Sequence, residues 1–192
     1  MHDIEIELAG KTFRIAGPSS RTADAISEAL ARNGAIVVDA APADLLVVLF
    51  PLLPKGDGAP YPPLLADEGS RMVEAGGGRI VFVLSAMAAL PVRGQADYSS
   101  AMAGALARVR TLAMELAPRV LVNAVGAGVI EDGDALVAGD RHMLGHASLG
   151  RAGRIDDIVN TVLFLCDPAN TYTTGQILNV DGGWSVGYGR NF

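Results

Sequence analysis

Ser85 and Tyr98 are the two side chains of this sequence best suited to chemistry on a carbonyl group. Ser85 follows an apolar run, Arg79 to Leu84, that is rich in valine and isoleucine and stands behind a glycine break. Tyr98 lies thirteen positions after Ser85. Two hydroxyl groups in one cleft can hold a carbonyl oxygen by hydrogen bonds and can give or take a proton. The pair therefore marks a candidate catalytic site.

The elements around these hydroxyls predict that they share a cleft. Arg79 to Leu84 has the composition and length of a buried strand. From Tyr98 onward, apolar residues recur at helical spacing until Pro118 stops the pattern. These positions are Ala101, Ala105, Val109, Leu112 and Leu116. A serine that ends a strand and a tyrosine on the first turn of the next helix would face one cleft, where open α/β sheets bind ligands.

The composition bounds the class of protein. The chain has 192 residues, of which 50% are hydrophobic and 19% are charged, and its 23 glycines are spread along the chain. These values fit one compact α/β domain, residues 1–192, with a sizeable core. The formal net charge of −6 argues against nucleic acid and against anionic lipid as partners.

The sequence also bears on the compartment. The first five residues show neither the charged region nor the apolar region of a signal peptide. The longest apolar stretch, Leu45 to Leu53, has the length of a strand and is broken by Pro51, so we expect no membrane span. Cys166 stands alone in an apolar run, which predicts a buried thiol rather than a disulfide framework. We therefore expect a cytoplasmic protein.

The N-terminal residues predict the opening of a dinucleotide-binding unit. Lys11 to Ala16 has the pattern of a strand, a glycine turn follows, and Thr22 to Arg32 has the pattern of a helix. Candidates for contact with a cofactor phosphate in this turn are Gly17, Ser19 and Arg21. The Arg21 guanidinium could pair with a phosphate. A solvated arginine at the start of a helix is the alternative interpretation.

The next segment is too short for the usual second unit. Only nine residues, Ala35 to Ala43, separate Gly34 from an apolar strand, Asp44 to Phe50, whereas one βαβ unit takes about 30 residues. Ala35 to Val38 fits a short edge strand, with Asp39 where an acidic residue would contact an adenosine ribose. Five residues hardly let the chain return past the first strand. We predict a doubly wound parallel sheet shortened by loss of strands and helices after the first βα unit.

The middle of the chain supplies connections. Residues Pro51 to Pro63 predict a loop rich in proline and glycine, and Leu64 to Ala75 a short helix. Val120 to Val125 predicts another buried strand. Residues Glu131 to Ser148 predict an irregular lid over the cleft. The acidic residues of this lid, which are candidate bases, are Glu131, Asp132 and Asp134.

Two histidines in the lid have a spacing found in metal sites. His142 and His146 are four residues apart, which on a helix would place both side chains on one face. Gly145 lies between them and the sequence offers no third ligand. We therefore expect a solvated pair and no metal.

The motifs of the chain resemble those of the short-chain dehydrogenase/reductases. The pattern Gly-Arg-Ile-Val-x-x-x-Ser up to Ser85, followed by Tyr98 on a helix, carries the resemblance together with the closing residues Asp181 to Trp184. The resemblance implies a Rossmann-like fold, a serine that holds the substrate carbonyl and a tyrosine that transfers the proton. A family lysine four residues after the tyrosine lowers the pKa of the tyrosine and binds the nicotinamide ribose. Met102 stands at that position.

Other family motifs are altered as well. Of three glycines expected in the first turn, only Gly17 is present. Where the family has Asn-Asn-Ala-Gly after the next strand, the chain reads Val48-Leu49-Phe50-Pro51. By the resemblance, Gly128 and Ile130 would line the nicotinamide. Asp132 stands where a threonine usually holds the carboxamide or a phosphate. We divide the domain into a degenerate cofactor half (1–50), a loop and short helix (51–75) and a catalytic-helix and assembly half (76–192).

These departures predict a pseudoenzyme, a non-catalytic or NAD(P)-independent subunit that binds no nicotinamide cofactor. It would pair with itself or with an intact dehydrogenase/reductase paralogue, through the Tyr98–Leu116 helix and the C-terminal helix and strand that the family uses for assembly. The alternative is an active enzyme in which Ser85 and Tyr98 act on a carbonyl substrate. That enzyme would be a cofactor-free isomerase, dehydratase or cyclase, or an NAD(P)H-dependent ketoreductase, with NAD(P) as cofactor if the family activity is retained.

Overall fold

A parallel β-sheet with helices on both faces forms the centre of the molecule. The computed structural model describes residues 5–39, 42–54 and 66–187. Its strands are β1 (Thr12–Ala16), β2 (Ile36–Val37), β3 (Leu45–Leu49), β4 (Gly78–Ser85), β5 (Val120–Ala127), β6 (Ile130–Asp132), β7 (Ala135–Ala138), β8 (Gly153–Arg154) and β9 (Ile177–Val180). Six of them pair in parallel in the order β2-β1-β3-β4-β5-β9. The predicted Rossmann-like parallel sheet is confirmed.

Four α-helices cover the sheet in two layers. They are α1 (Arg21–Arg32), α2 (Ala66–Glu74), α3 (Ala96–Glu115) and α4 (Ile155–Cys166). The buried side chains of α1 and α4 belong to one apolar cluster, and those of α2 and α3 belong to the cluster on the opposite face. Every residue of β3 is buried, with Leu46 and Val48 in the second cluster and Leu45 and Val47 in the first. Burial on both faces explains why this strand is a continuous apolar run.

The chain passes β1 by a shorter route than the sequence suggested. The expectation that the five residues after the short edge strand hardly let the chain return past β1 is wrong. β2 pairs with only the first two residues of β1, so it stays near the end of the sheet at which β3 begins. β3 then begins beside Phe13, close to where β2 stops. The short edge strand itself was predicted. Ile36 and Val37 on this edge are 59% and 61% exposed.

A polar clamp holds the start of β1 to the start of β3. Thr12 donates to Asp44 Oδ2 from its backbone N–H and from its hydroxyl, both at 2.8 Å, and the Asp44 N–H donates back to Thr12 Oγ1 at 3.0 Å. Partial burial raises the pKa of Asp44. The hydrogen bonds from Thr12 and the charge of Lys11 act in the opposite direction, and they hold the pKa below its ordinary value.

The segment Glu131 to Ser148 is more regular than predicted. β6 and β7 form an antiparallel hairpin, β8 adds to β6 in parallel, and residues Arg141–His146 form a 3₁₀ helix. The hairpin turns at Gly133, whose φ of +59° lies in the left-handed region that favours glycine. Asp132 followed by Gly133 is a hairpin signal that could have predicted this turn.

Two further expectations concern burial. Cys166 is a buried free thiol, and desolvation raises its pKa to about 12, as expected for a cysteine packed in a core. No helix within the described ranges is long and apolar enough to span a bilayer.

Replacing Thr12 by valine should lower the free energy of unfolding by about 1 kcal/mol at neutral pH, because it removes the hydroxyl bonds to Asp44. Since the folded-state pKa of Asp44 is depressed, this contribution is fully present above the unfolded value near ~3.9 and is lost as pH falls through the folded value. Urea unfolding at pH 7 and at about pH 2.5 measures the difference. Thr111→Val, which alters a hydroxyl bonded within α3, is the control. An undiminished difference at low pH would contradict the assignment.

Candidate functional site

Ser85 lies at the carboxyl end of β4, where the sequence placed it. Its side chain is fully buried, and its hydroxyl accepts a hydrogen bond from the Met87 N–H at 3.2 Å. This bond caps the short 3₁₀ helix Ala86–Ala88. Ser85 pairs with Ala127 in the sheet, so the hydroxyl lies beside the carboxyl end of β5. The hydroxyl thus has a structural role and keeps one proton to donate.

Tyr98 is the third residue of α3 and is almost completely buried, with 7% of its surface exposed. Its hydroxyl donates to the carbonyl oxygen of Pro51 at 2.7 Å. Pro51 follows β3 at the position of the altered asparagine motif. The Tyr98 hydroxyl is therefore bonded to the segment that follows β3, and Ser85 ends the neighbouring strand β4. The cleft that both hydroxyls would share stays a prediction.

Met102 lies one helical turn after Tyr98 and has no exposed surface. Its side chain belongs to the apolar cluster that also contains Phe50, Met143 and Trp184. A cation at this point would lose its hydration without gaining a partner of opposite charge in that cluster. The position that carries the charge in the resembled family is thus part of the core.

The first turn keeps one feature of a phosphate-binding loop. Gly17 has a φ of +131°, and a Cβ atom there would lie 2.1 Å from the carbonyl oxygen of Leu49. Only glycine allows this approach of β1 to β3. Ser20 caps α1, because its hydroxyl accepts from the Ala23 N–H at 3.1 Å. Ser19 is exposed and lines a cavity of about 190 Å³ between the turn and the segment after β3.

Arg21 and Asp132 form an ion pair across this end of the molecule. Arg21 Nη1 lies 2.5 Å from Asp132 Oδ2, and the two side chains are 64% and 46% exposed. The pair links the N-terminus of α1 to the β6–β7 hairpin. A second link holds the other end of the hairpin, where the Gly139 N–H donates to the Leu52 carbonyl oxygen at 2.9 Å. Sequence reasoning missed this pairing, because nothing local connects residues 111 positions apart.

Gly128 and Ile130 have structural roles in the C-terminal half. A Cβ atom at Gly128 would lie 2.5 Å from the Asp181 Cα, so this glycine lets β5 pack against the closing Asp-Gly-Gly segment. Ile130 is buried in the apolar cluster of α1 and α4, and its backbone pairs with Ala138 and Gly153. Their contact with a nicotinamide stays a prediction.

Two of the acidic lid residues are held in ion pairs. Glu131 lies 2.6 Å from Arg141 in an ion pair, and the Asp132 carboxylate binds Arg21. His142 lies on the 3₁₀ helix with its N–H bonded to Asp140 Oδ1 at 3.0 Å. Within the part of the chain that the structure describes, no three histidine, cysteine, aspartate or glutamate side chains are grouped to hold a metal ion.

The fold and this site define a Rossmann-type α/β protein with a serine–tyrosine pair at the carboxyl edge of its sheet. A sequence profile described as enoyl-(acyl carrier protein) reductase matches residues 63–185. The match covers more than half of the chain and includes both hydroxyl residues. The chain belongs to the short-chain dehydrogenase/reductase family.

Individual relatives are similar over the same part of the chain. A 3-oxoacyl-[acyl-carrier-protein] reductase of Aquifex aeolicus is 38% identical over 117 residues, which are 59% of this chain and 47% of the relative. A (2S)-[(R)-hydroxy(phenyl)methyl]succinyl-CoA dehydrogenase subunit of Thauera aromatica is 43% identical over 119 residues, 60% and 48% of the two chains. The aligned part of this chain spans about half the length of these relatives.

Solved structures share the fold. A 3-ketoacyl-(acyl-carrier-protein) reductase from Brucella melitensis, in complex with NADH, gives a TM-score of 0.74 at 21% identity, covering 93% of this chain and 100% of that chain. A ribose-5-phosphate isomerase from the same organism gives 0.76 at 23% identity, covering 93% and 94%. Neighbours with such different names show that the fold does not identify the reaction.

The comparisons bear on the two functional interpretations of the sequence. The relatives named above are reductases and a dehydrogenase subunit, which favours the ketoreductase alternative over a pseudoenzyme. They also do not support the expectation that no nicotinamide cofactor binds, since one neighbour contains NADH.

Replacing Met102 by lysine should destabilise the protein by about 3 kcal/mol or more, because the ammonium group would enter an apolar cluster. Met114→Lys, on the same helix at a residue that is 75% exposed, should change stability by no more than about 0.5 kcal/mol. Urea unfolding of the two variants and the wild type gives the comparison. Equal stability of both variants would mean that residue 102 reaches water.

Proposed function

We propose that this chain is a carbonyl-reducing oxidoreductase of the ketoreductase type that uses NAD(P)H. Tyr98 would donate the proton to the substrate oxygen, and Ser85 would hold that oxygen. The observation that carries the proposal is the Tyr98 hydroxyl, which already donates to a carbonyl oxygen, that of Pro51, at 2.7 Å. The similarity to a 3-oxoacyl-[acyl-carrier-protein] reductase supports it, as does the family profile, whose match contains both residues.

The Pro51 carbonyl is a stand-in for the substrate. It is an amide and not a ketone, but its oxygen accepts a hydrogen bond from the same hydroxyl proton that the reaction would transfer. A ketone oxygen in the same place would accept the hydrogen bond that the Tyr98 hydroxyl now donates to Pro51. Binding would then require the segment after β3 to withdraw from Tyr98. The Leu52–Gly139 backbone bond fixes that segment to the lid, so the two would move together.

Ser85 supports the same geometry from the neighbouring strand. Its hydroxyl accepts from the Met87 N–H and can donate its own proton to a carbonyl oxygen. Because the group is buried, a donated hydrogen bond would be stronger than in water. Two donors on one oxygen would stabilise the negative charge that develops there.

The residues of the first turn fit the diphosphate of a dinucleotide. The N-terminus of the twelve-residue α1 favours an anion, and Gly17 lets the turn before it pack against the end of β3. Arg21 adds a cation at that terminus. Gly17, Ser19 and Arg21 would therefore hold the phosphates, and the bound nicotinamide would supply the hydride.

The absence of the family lysine should slow the reaction in both directions. A tyrosine without a neighbouring cation is a poor acid–base catalyst near neutral pH, and Met102 provides no cation. Because reduction and oxidation pass through the same transition state, we expect slow turnover rather than a preferred direction.

A second candidate function is a non-catalytic subunit that pairs with an intact family member. Met102 in the core is the observation that favours it. A buried apolar side chain stands where the family has the lysine that lowers the pKa of the tyrosine, so no side-chain rotation can bring a cation to that position. The Thauera aromatica relative is itself named a subunit. In this case the Tyr98–Pro51 bond is a structural contact.

Assembly surfaces remain available under either candidate. We propose that the outer face of α3 and the C-terminal α4 and β9 contact a second copy or a full-length family member. Met114 on α3 is 75% exposed and Phe164 on α4 is 47% exposed. Exposed apolar side chains on helix surfaces suit contact with another chain.

The wild-type chain should reduce a 3-ketoacyl thioester with NADH or NADPH, and Tyr98→Phe should lower kcat/KM about 100-fold or more, because the proton donor is removed. The assay follows the absorbance of the reduced nicotinamide. Tyr172→Phe, at a fully exposed tyrosine, is the control and should retain activity within about two-fold.

Other outcomes decide between the candidates. Reduction that persists in Tyr98→Phe would contradict the role of this tyrosine. A folded wild-type chain that binds neither nucleotide by calorimetry and co-purifies with a longer family member in equal amount would support the non-catalytic subunit.

A further inference from the structure

Asp132 stands where a bound phosphate would compete with it. Its carboxylate lies 2.5 Å from the guanidinium of Arg21, the cation at the N-terminus of α1. Carboxylate and phosphate are the two groups that guanidinium binds best, and they need the same N–H donors. One guanidinium held by Asp132 has fewer donors left for a phosphate.

We propose that Asp132 is an internal competitor of the diphosphate for Arg21 and sets the affinity of this chain for dinucleotides. The inference rests on the proposed function, in which Arg21 holds the cofactor phosphates. It assigns to Asp132 a specificity role that the sequence motif alone did not predict.

The surroundings of the pair strengthen this argument. Arg21 and Asp132 line a cavity of about 760 Å³, whose other charged residues are Asp24, Glu28, Glu131, Asp156, Arg151 and Arg154. Its carboxylates outnumber its guanidinium groups, so a phosphate that enters meets net repulsion as well as competition. Asp132 differs from the other carboxylates because it is directly paired with the guanidinium.

The pair also connects phosphate binding to the lid. Asp132 is the last residue of β6 and lies beside the turn of the hairpin, whose open end is held by the Gly139–Leu52 bond. Leu52 directly follows Pro51, whose carbonyl accepts the Tyr98 proton. A phosphate that displaces Asp132 would release one end of the hairpin, and this release would loosen the segment that blocks Tyr98.

The size of the expected effect follows from exposure. Both side chains are about half exposed, and ion pairs of this kind contribute at most a modest free energy. Removing the competitor should therefore strengthen anion binding about five-fold, which corresponds to about 1 kcal/mol. The effect is confined to ligands that carry phosphate.

Calorimetric titration with inorganic pyrophosphate tests the proposal on the wild-type chain, Asp132→Asn, Asp24→Asn and Arg21→Gln. We expect Asp132→Asn to bind about five-fold more tightly than the wild type, and Arg21→Gln to lose binding. Asp24→Asn removes the same charge one helical turn from Arg21 and should change the affinity less than about two-fold. Hydrogen exchange in the β6–β7 hairpin should be faster in Asp132→Asn than in Asp24→Asn.

An equal gain in pyrophosphate affinity in both asparagine variants would mean that the loss of one negative charge, and not the pairing with Arg21, causes the gain. This outcome would overturn the proposal. Unchanged affinity in Asp132→Asn, or no pyrophosphate binding in any variant, would also overturn it. The test is independent of catalysis, since it uses no ketone and no nicotinamide. If Asp132→Asn gains affinity while no variant reduces a ketone, the competitor role holds and the proposed function fails.

Discussion

The parallel register of β3, β4 and β5 is the constraint on which the site depends. Leu49 pairs with Val83 and Ser85 pairs with Ala127, so the three strands end side by side. This register brings the residues that follow each strand to one edge of the sheet. Pro51, Ser85 and Gly128 thus meet although long segments separate them in sequence.

The sequence predicted the elements whose pattern is local. The buried strands, the long helix after Tyr98 and the positions of both hydroxyls follow from periodicity, glycine breaks and Pro118. The route past β1 was misjudged because the length of a strand pairing is a tertiary property that Ala35 to Ala43 do not encode locally. The β6–β7 hairpin was missed although its Asp-Gly turn is a local signal.

The site could be predicted only in its residues and not in its contacts. Ser85 and Tyr98 lie where the motif placed them, but the partner of Tyr98 is a backbone carbonyl that no sequence pattern identifies. The same holds for Arg21 and Asp132, which meet through the packing of a hairpin on a helix. Met102 is the converse case. The sequence identified the missing cation, and the structure adds that the position is part of the core.

These contacts explain how one set of residues fits both an enzyme and a structural subunit. In the closed arrangement, the Tyr98 proton is bound to Pro51 and the Arg21 charge is bound to Asp132, so both functional groups are satisfied within the chain. Burial makes the first bond strong, whereas the exposed second pair is weak. Opening should therefore begin at the weak pair, and an anion is the ligand chemically suited to start it. Under the proposed function, cofactor binding would therefore depend on the competition for Arg21 before the hydroxyl groups can act.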